Sequence, residues 1–293
     1  MILMEEKQRA GREKRGYLNE DFLLFHLKDS KGERYEYHYH DFYKVILFIS
    51  GKVTYLIEGN AYGLRPWDIL LVTNGDIHKA VIETAEPYER IVLWFNPDFL
   101  ESHSTQDSRL LDCFDASSRE RRHLLRPGPE AMAAIKDRLR ELEKAFRNRS
   151  FGTGTEKSSL FLLFMVQLNR AFFHAENASD AYGAQYDETI SKIISHIGAN
   201  LGGDLSIESI SDKFYLSRYA LMHKFKKQTG FTIHSFILQK RLMKAGVCLD
   251  SGRSATDTSL ECGFADYSSF VRAFKKFYGA SPRQYAGKKA RNV

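Results

Sequence analysis

The side chains best suited to chemistry lie in a pattern used twice. His223-Lys224-Phe225-Lys226-Lys227-Gln228-Thr229-Gly230 returns as Arg272-Ala273-Phe274-Lys275-Lys276-Phe277-Tyr278-Gly279. Lysines crowded at one end of an amphipathic segment suit phosphate oxygens, and a His or Arg further back on the same segment can reach base edges. Two such copies in tandem point to two DNA-reading modules. A second group is His38-Tyr39-His40 with Lys44 and His78. Residues two apart on a strand share a face, so the imidazoles of His38 and His40 point the same way. Imidazoles on one face bind a metal or hydrogen-bond a small molecule, and Lys44 beside them suits an anionic or hydroxyl-rich ligand.

The elements around the repeated pattern follow from local signals. Ser206 caps a short helical segment with apolar residues at Ile207, Ile210 and Phe214. Tyr215-Leu216 makes a turn, and Ser217 caps a longer helix that stops at Gly230. In the second copy, Ala255 to Cys262 is the short helix, Gly263-Phe264 turns, and Asp266 caps Tyr267 to Tyr278 ahead of Gly279. Glycine just past a helix accepts the left-handed conformation without a Cβ penalty. Short helix, tight turn and longer helix is the helix-turn-helix plan, whose second helix enters the major groove. Leu221, Phe225, Phe270 and Phe274 form the core stripes. Facing away are Arg218, Tyr219, Met222, His223 and Lys226, then Tyr267, Ser268, Ser269, Arg272 and Lys275, with Lys227 and Lys276 at the helix ends. Between the copies, Ile233 to Leu249 reads as one continuous helix, long enough to set the two readers about one DNA turn, roughly 34 Å, apart.

Leu216-Ser217, Phe225-Lys226-Lys227-x-x-Gly230, Arg241-Leu242-x-x-Ala245, Gly263-Phe264, Phe270, Phe274-Lys275-Lys276, Gly279, Ser281-Pro282 and Tyr285 together resemble the signature of the AraC-type transcription regulators, over about the last hundred residues. The resemblance implies two helix-turn-helix units on a linker helix that bind promoter DNA, with RNA polymerase as a further partner. The family's base-reading side chains match Tyr219, Met222 and His223, then Ser268, Ser269 and Arg272. Arg272 is the expected guanine reader, since arginine donates two hydrogen bonds to O6 and N7, and Met222 could touch a thymine methyl.

Charge divides the chain in the same way. Of 293 residues with net charge +6, residues 188–293 hold 17 basic and 8 acidic side chains, so +9, and the other 187 hold 26 and 29, so −3. A basic end on a mildly acidic body is the footprint of a nucleic-acid module joined to something else. Cys113, Cys248 and Cys262 are widely spaced, which excludes a disulfide framework or Cys-x-x-Cys zinc site and fits a reducing cytoplasm. Neither a signal peptide nor a membrane span is expected.

Residues 17 to about 99 read as short strands: Tyr35 to His40, Val45 to Ile49, a hairpin of Val53 to Glu58 and Ala61 to Arg65 around Gly59-Asn60, then Ile69 to Val72, His78 to Glu83 and Arg90 to Phe95. Their even spacing predicts a small antiparallel barrel or jelly roll. Gly32, His38, His40, Lys44 and Gly51, followed by Trp67-Asp68 and His78, resemble the two motifs of the cupin family, whose His-x-His, Glu and later His form a metal site. Lys44 stands where that family has its Glu, Trp67 where it has a glycine, and Thr73 where it has a proline. A lysine ammonium is a poor ligand and repels a metal. Three readings follow: a catalytic metal cupin, a sensor with metal held by His38, His40 and His78 alone, and a metal-free pocket for a small effector. We take the third, without cofactor, and prefer a sugar-like effector. Trp67, Tyr55 and Trp94 are candidates to stack on it. A metal-dependent cupin enzyme, or a metal sensor, with an attached DNA-binding domain is the alternative.

Residues 130 to 149 and 156 to 175 read as two helices. The AraC resemblance implies dimerisation through helices after the cupin, and packing on the barrel alone is the competing expectation. The expected order is an effector-sensing cupin-like β domain (1–105), a helical segment (106–176), a linker (177–187) and an all-α double helix-turn-helix domain (188–293): a cytoplasmic, effector-controlled transcription regulator acting as a homodimer, not an enzyme.

Overall fold

The computed structural model describes residues 18, 20–29, 35, 38–40, 42–58, 60–83, 86–175 and 188–289. It divides into two compact units, Met1–Ala184 and Gln185–Val293. The linker expected at 177–187 lies outside the described residues, as do Gly32 and Gly59.

The first unit is built from strands β1 (Phe22–Asp29), β2 (Tyr43–Ser50), β3 (Val53–Ile57), β4 (Asn60–Gly63), β5 (Ile69–Val72), β6 (His78–Ile82), β7 (Tyr88–Phe95) and the short β8 (Leu124–Leu125). They form a five-stranded sheet, ordered β1-β7-β2-β5-β8, and a three-stranded sheet, ordered β4-β3-β6. The pairings are antiparallel. The continuous apolar runs of β2, β5 and β7 are explained by burial on both faces. Val45, Leu47, Ile69, Leu71, Ile91, Leu93 and Phe95 join one core, while Ile46, Phe48, Leu70, Val72, Tyr88 and Val92 join another with Val53, Tyr55 and Ile57 of the smaller sheet.

The first of those cores is closed by helices α1 (Pro97–Ser102), α2 (Asp112–Glu120), α3 (Pro129–Arg147) and α4 (Thr153–His174). Ile135, Leu139 and Leu142 of α3 and Phe161, Phe164, Met165, Leu168 and Phe172 of α4 share it with the sheet. Helical packing on the barrel is thus observed, and α3 and α4 begin and end within three residues of their sequence-expected limits. α1 and α2 carried too short a period to be anticipated. Of the expected strand at Tyr35 to His40, residues 36 and 37 lie outside the described residues, and His38 forms an isolated antiparallel bridge to His78.

The second unit is all helical: α5 (Glu188–Ala199), α6 (Ile207–Lys213), α7 (Arg218–Thr229), α8 (Ile233–Asp250), α9 (Ala255–Glu261), α10 (Tyr267–Tyr278) and α11 (Pro282–Lys289). Local chemistry sets its boundaries. Ser206, Ser217, Thr232, Ser254 and Asp266 each accept a hydrogen bond from the amide three residues on, which satisfies an orphan donor of the first turn. Gly230 at φ +76° and Gly279 at φ +75° end α7 and α10. α8, with 18 residues, is about 27 Å long and joins the two helix-turn-helix units. Phe225 of α7 packs edge-on against Phe236 of α8 with centroids 5.3 Å apart. Phe270 and Phe274 of α10 share a core with Leu242, Ala245 and Leu249 of α8.

Candidate effector pocket and nucleic-acid interface

In the five-stranded sheet of the first unit, β2 and β7 pair with Lys44 opposite Trp94. The bridge from His38 to His78 lies beside them. His38, His40, Lys44 and His78 are all buried. The ring centroids of His38 and His78 lie 4.4 Å apart, those of His38 and His40 5.0 Å, and those of His40 and His78 5.1 Å. Trp94 closes one side, 6.0 Å from His40 and 4.7 Å from Phe42. Tyr55 closes another, nearly parallel to His78 at 6.0 Å. Six of the seven residues expected at this site are therefore brought together.

Trp67 is the exception. It sits in the β4–β5 turn at φ +72°, and its backbone N–H is bonded to the carbonyl of Phe48, four residues along β2 from Lys44. At about 3.3 Å per residue, Phe48 lies roughly 13 Å along the strand from Lys44. Its ring is covered by the Lys136 ammonium of α3 at 3.8 Å. Asp68 beside it is structural, holding Arg126 through bonds of 2.9 and 3.1 Å.

The hydrogen bonds fix what the pocket offers. His78 Nδ1 lies 2.7 Å from the carbonyl of Asp76, which can only accept, so Nδ1 carries the proton and Nε2 presents a lone pair. His78 Nε2 is buried and has no partner. The indole Nε1 of Trp94 and the hydroxyl of Tyr88 are likewise buried without partners. Burial pushes the Tyr88 hydroxyl up to about 12, so it stays a neutral donor. Beside the histidine cluster there are thus one unfilled acceptor, His78 Nε2, and one unfilled donor, the Trp94 N–H, each costly to leave so.

Nitrogen atoms of His38, His40 and His78 all lie within 4.8 Å of one another, a spacing compatible with shared ligation. The remaining geometry does not fit a divalent cation. Lys44 Nζ is 2.6 Å from His40 Nε2, so an ammonium occupies the space at a would-be ligand atom. Among the described residues no carboxylate joins the cluster, and Trp94 N–H is a donor that cannot ligate.

Burial, then the neighbouring His38 and Lys44, hold the His78 imidazole well below its ordinary value. A histidine depressed in the fold but ordinary in the unfolded chain lets only the unfolded state take a proton as pH falls through about 6.5. Stability is therefore full above that pH and declines below it, by up to about 1.4 kcal/mol per pH unit for the one proton, until the folded pKa is reached. Thermal melts from pH 7.5 to 5 should show this decline, and His78→Gln should flatten it; parallel curves for the two proteins would contradict the assignment.

In the second unit Arg218, Tyr219, Met222, His223, Lys226 and Lys227 of α7 are exposed, as are Ser268, Arg272, Lys275 and Lys276 of α10, with Ser269 half-buried. The structure gives five of these a local engagement that sequence could not. Arg218 pairs with Glu208 of α6 at 2.8 Å. Arg272 donates to the Ser269 hydroxyl at 3.0 Å, and the Ser269 amide caps onto Asp266 at 2.7 Å, so Ser269 acts as a support that orients the arginine. The Tyr219 and His223 rings stack at 6.0 Å with planes 11° apart.

Both units match known families. Residues 210–288 match the helix-turn-helix domain family and residues 23–164 the AraC-like ligand binding domain family. The chain belongs to the AraC-type transcription regulators. Over 247 residues this AraC-type chain is 24% identical to the HTH-type transcriptional activator RhaS of Citrobacter koseri, covering 84% of this chain and 85% of that one. It is 24% identical over 250 residues to the transcriptional activator RhaR of Escherichia coli, covering 85% and 86%. ToxT of Vibrio cholerae aligns with 91% of this regulator and 98% of its own chain at 16% identity, with a TM-score of 0.34. Among the described residues no helix is long and apolar enough to cross a membrane.

Proposed function

We propose that this protein is a sequence-specific transcription regulator whose C-terminal unit reads promoter DNA and whose N-terminal unit binds a small hydroxylated effector. The observation that carries the DNA reading is the pair of capped helices α7 and α10 on the single helix α8, each with its polar face exposed and two lysines in its last turn. Lysines there meet phosphates and fix register, while the preceding turns reach bases. Arg272 hydrogen-bonds guanine, and His223 takes the corresponding place on α7. Such a protein acts in the cytoplasm, where the chromosome is. A fragment from upstream of its own gene, titrated at physiological salt, should bind through excess scrambled competitor; binding abolished by the competitor on every neighbouring promoter fragment would count against the reading.

The effector class is inferred from the unfilled atoms. A sugar-like hydroxyl both donates and accepts, so adjacent hydroxyls would answer the His78 lone pair and the Trp94 N–H together, with Tyr55 and Trp94 as ring platforms. Trp94→Phe keeps a ring and deletes the N–H. It should weaken a sugar found by thermal-shift screening by about 0.5–1.5 kcal/mol, and an unchanged Kd would remove Trp94 from the site. RhaS and RhaR are named as activators, and by analogy we assign activation, with contact to RNA polymerase, to this chain. Leu163, Val166 and Phe173 recur at helical spacing on α4, with Leu163 and Phe173 exposed, and support a homodimer through that face.

A further inference from the structure

The two reading units differ at the turn that leads into each reading helix. After α9 the chain passes through Gly263 at φ +76°, a left-handed conformation glycine enters freely. At the corresponding position after α6 stands Tyr215, at φ +52°. A bulky residue is a genuine outlier there, and the conformation is strained. Packing does not offset that strain, because the Tyr215 side chain is 95% exposed. Two further large side chains on the same unit are left in solvent: Tyr219 is 75% exposed and Met222 47%. The second unit presents Ser268, Ser269 and Arg272 at its reading surface with one large side chain, Tyr267, 46% exposed beside them, and Val271, the counterpart of Met222, is half-buried.

A strained and exposed aromatic, set two residues ahead of the Ser217 cap of a reading helix that itself exposes Tyr219 and Met222, is an apolar surface without an apolar partner in the fold. The thymine 5-methyl is the apolar group that base edges offer in the major groove. We propose that Tyr215, Tyr219 and Met222 form a methyl-reading surface. The half-site under the first unit is then selected by its thymine methyl groups, and the half-site under the second by guanine through Arg272. The operator is accordingly asymmetric in chemistry, so one chain has a fixed direction on DNA. This rests on the DNA-reading function above.

The test starts with selection of duplexes from a random pool, roughly 40 base pairs long to span two half-sites one turn apart, by the full chain and by Arg272→Ala in parallel. The block relaxed in Arg272→Ala marks the second unit's half-site and so identifies the first. Deoxyuridine, which lacks only the 5-methyl, then replaces thymidine in one block at a time. Uracil in the first block should weaken wild-type binding at least about fivefold, and uracil in the second less than about twofold. Tyr215→Gly suits the backbone, so its melting midpoint should hold or rise. It should nevertheless lose binding on the thymine duplex and lose less than wild type on going to uracil. Tyr215→Phe should match wild type. Uracil without effect in the first block, or Tyr215→Phe losing as much as Tyr215→Gly, would overturn the methyl reading and make Tyr215 a phosphate contact through its hydroxyl. Failure of the full chain to select any sequence sinks the DNA-reading function itself, an outcome separate from selection of a site that ignores uracil.

Discussion

Phe225→Ala is expected to destabilise the DNA-binding unit by about 3–5 kcal/mol and with it to abolish binding at ordinary protein concentrations. Phe225 is fully buried, and its ring meets Phe236 of α8 edge-on. Truncation leaves a cavity where α7 is fastened to the helix that also carries the second reader. A unit of this size has a total stability of only about 5–15 kcal/mol, so the loss is a large share of it. Calorimetry should show the C-terminal transition falling by at least about 12 °C, while the transition of the N-terminal unit, whose cores contain none of these residues, stays in place. An unshifted C-terminal transition would mean that Phe225 does not fasten α7 to α8.

Arg272→Ala is expected to cost about 1–3 kcal/mol on the cognate duplex and to relax one base position. Arg272 is exposed on α10 and already hydrogen-bonded to Ser269, whose amide is tied to Asp266. A guanidinium held in this way would meet DNA partly oriented and lose less side-chain freedom on binding. Ser269→Ala should cost less than Arg272→Ala and at the same base position, because it removes the support and leaves the reader. Equal losses for Arg272→Ala on cognate and random DNA would make it a phosphate contact.

The DNA-binding unit was legible because its signals are local. Ser217, Asp266, Gly230 and Gly279 mark helix ends through bonds made within four residues, and the Phe stripes repeat at helical spacing. α5 and α11 were not anticipated. The isoleucines of α5, Ile190, Ile193, Ile194 and Ile197, follow a helical period, but they adjoin the polar stretch 177–187, whose composition is that of a linker. In the N-terminal unit the strands were legible through their alternation and their turn residues. Which face each strand turned to which core was not, since β2, β5 and β7 are apolar on both sides. The site was half legible. The spacing of His38, His40, Lys44 and His78 was visible, whereas three features depend on contacts between residues far apart in sequence: the place of Lys44 against His40, the orphaned Nε2 of His78, and the removal of Trp67 to the far end of β2. The Glu208 partner of Arg218 on α6 was likewise out of reach of single-segment reasoning.

The central claim is that one chain carries two readers spaced by α8 to meet successive major grooves. Hydroxyl-radical footprinting of the full chain on its selected duplex tests it most directly. The expected result is two protected windows on one DNA face, about 10 base pairs apart centre to centre, with protection of one window weakened in Arg272→Ala and the other retained. A single window, or uniform protection along the duplex that fades equally in the variant, would contradict it.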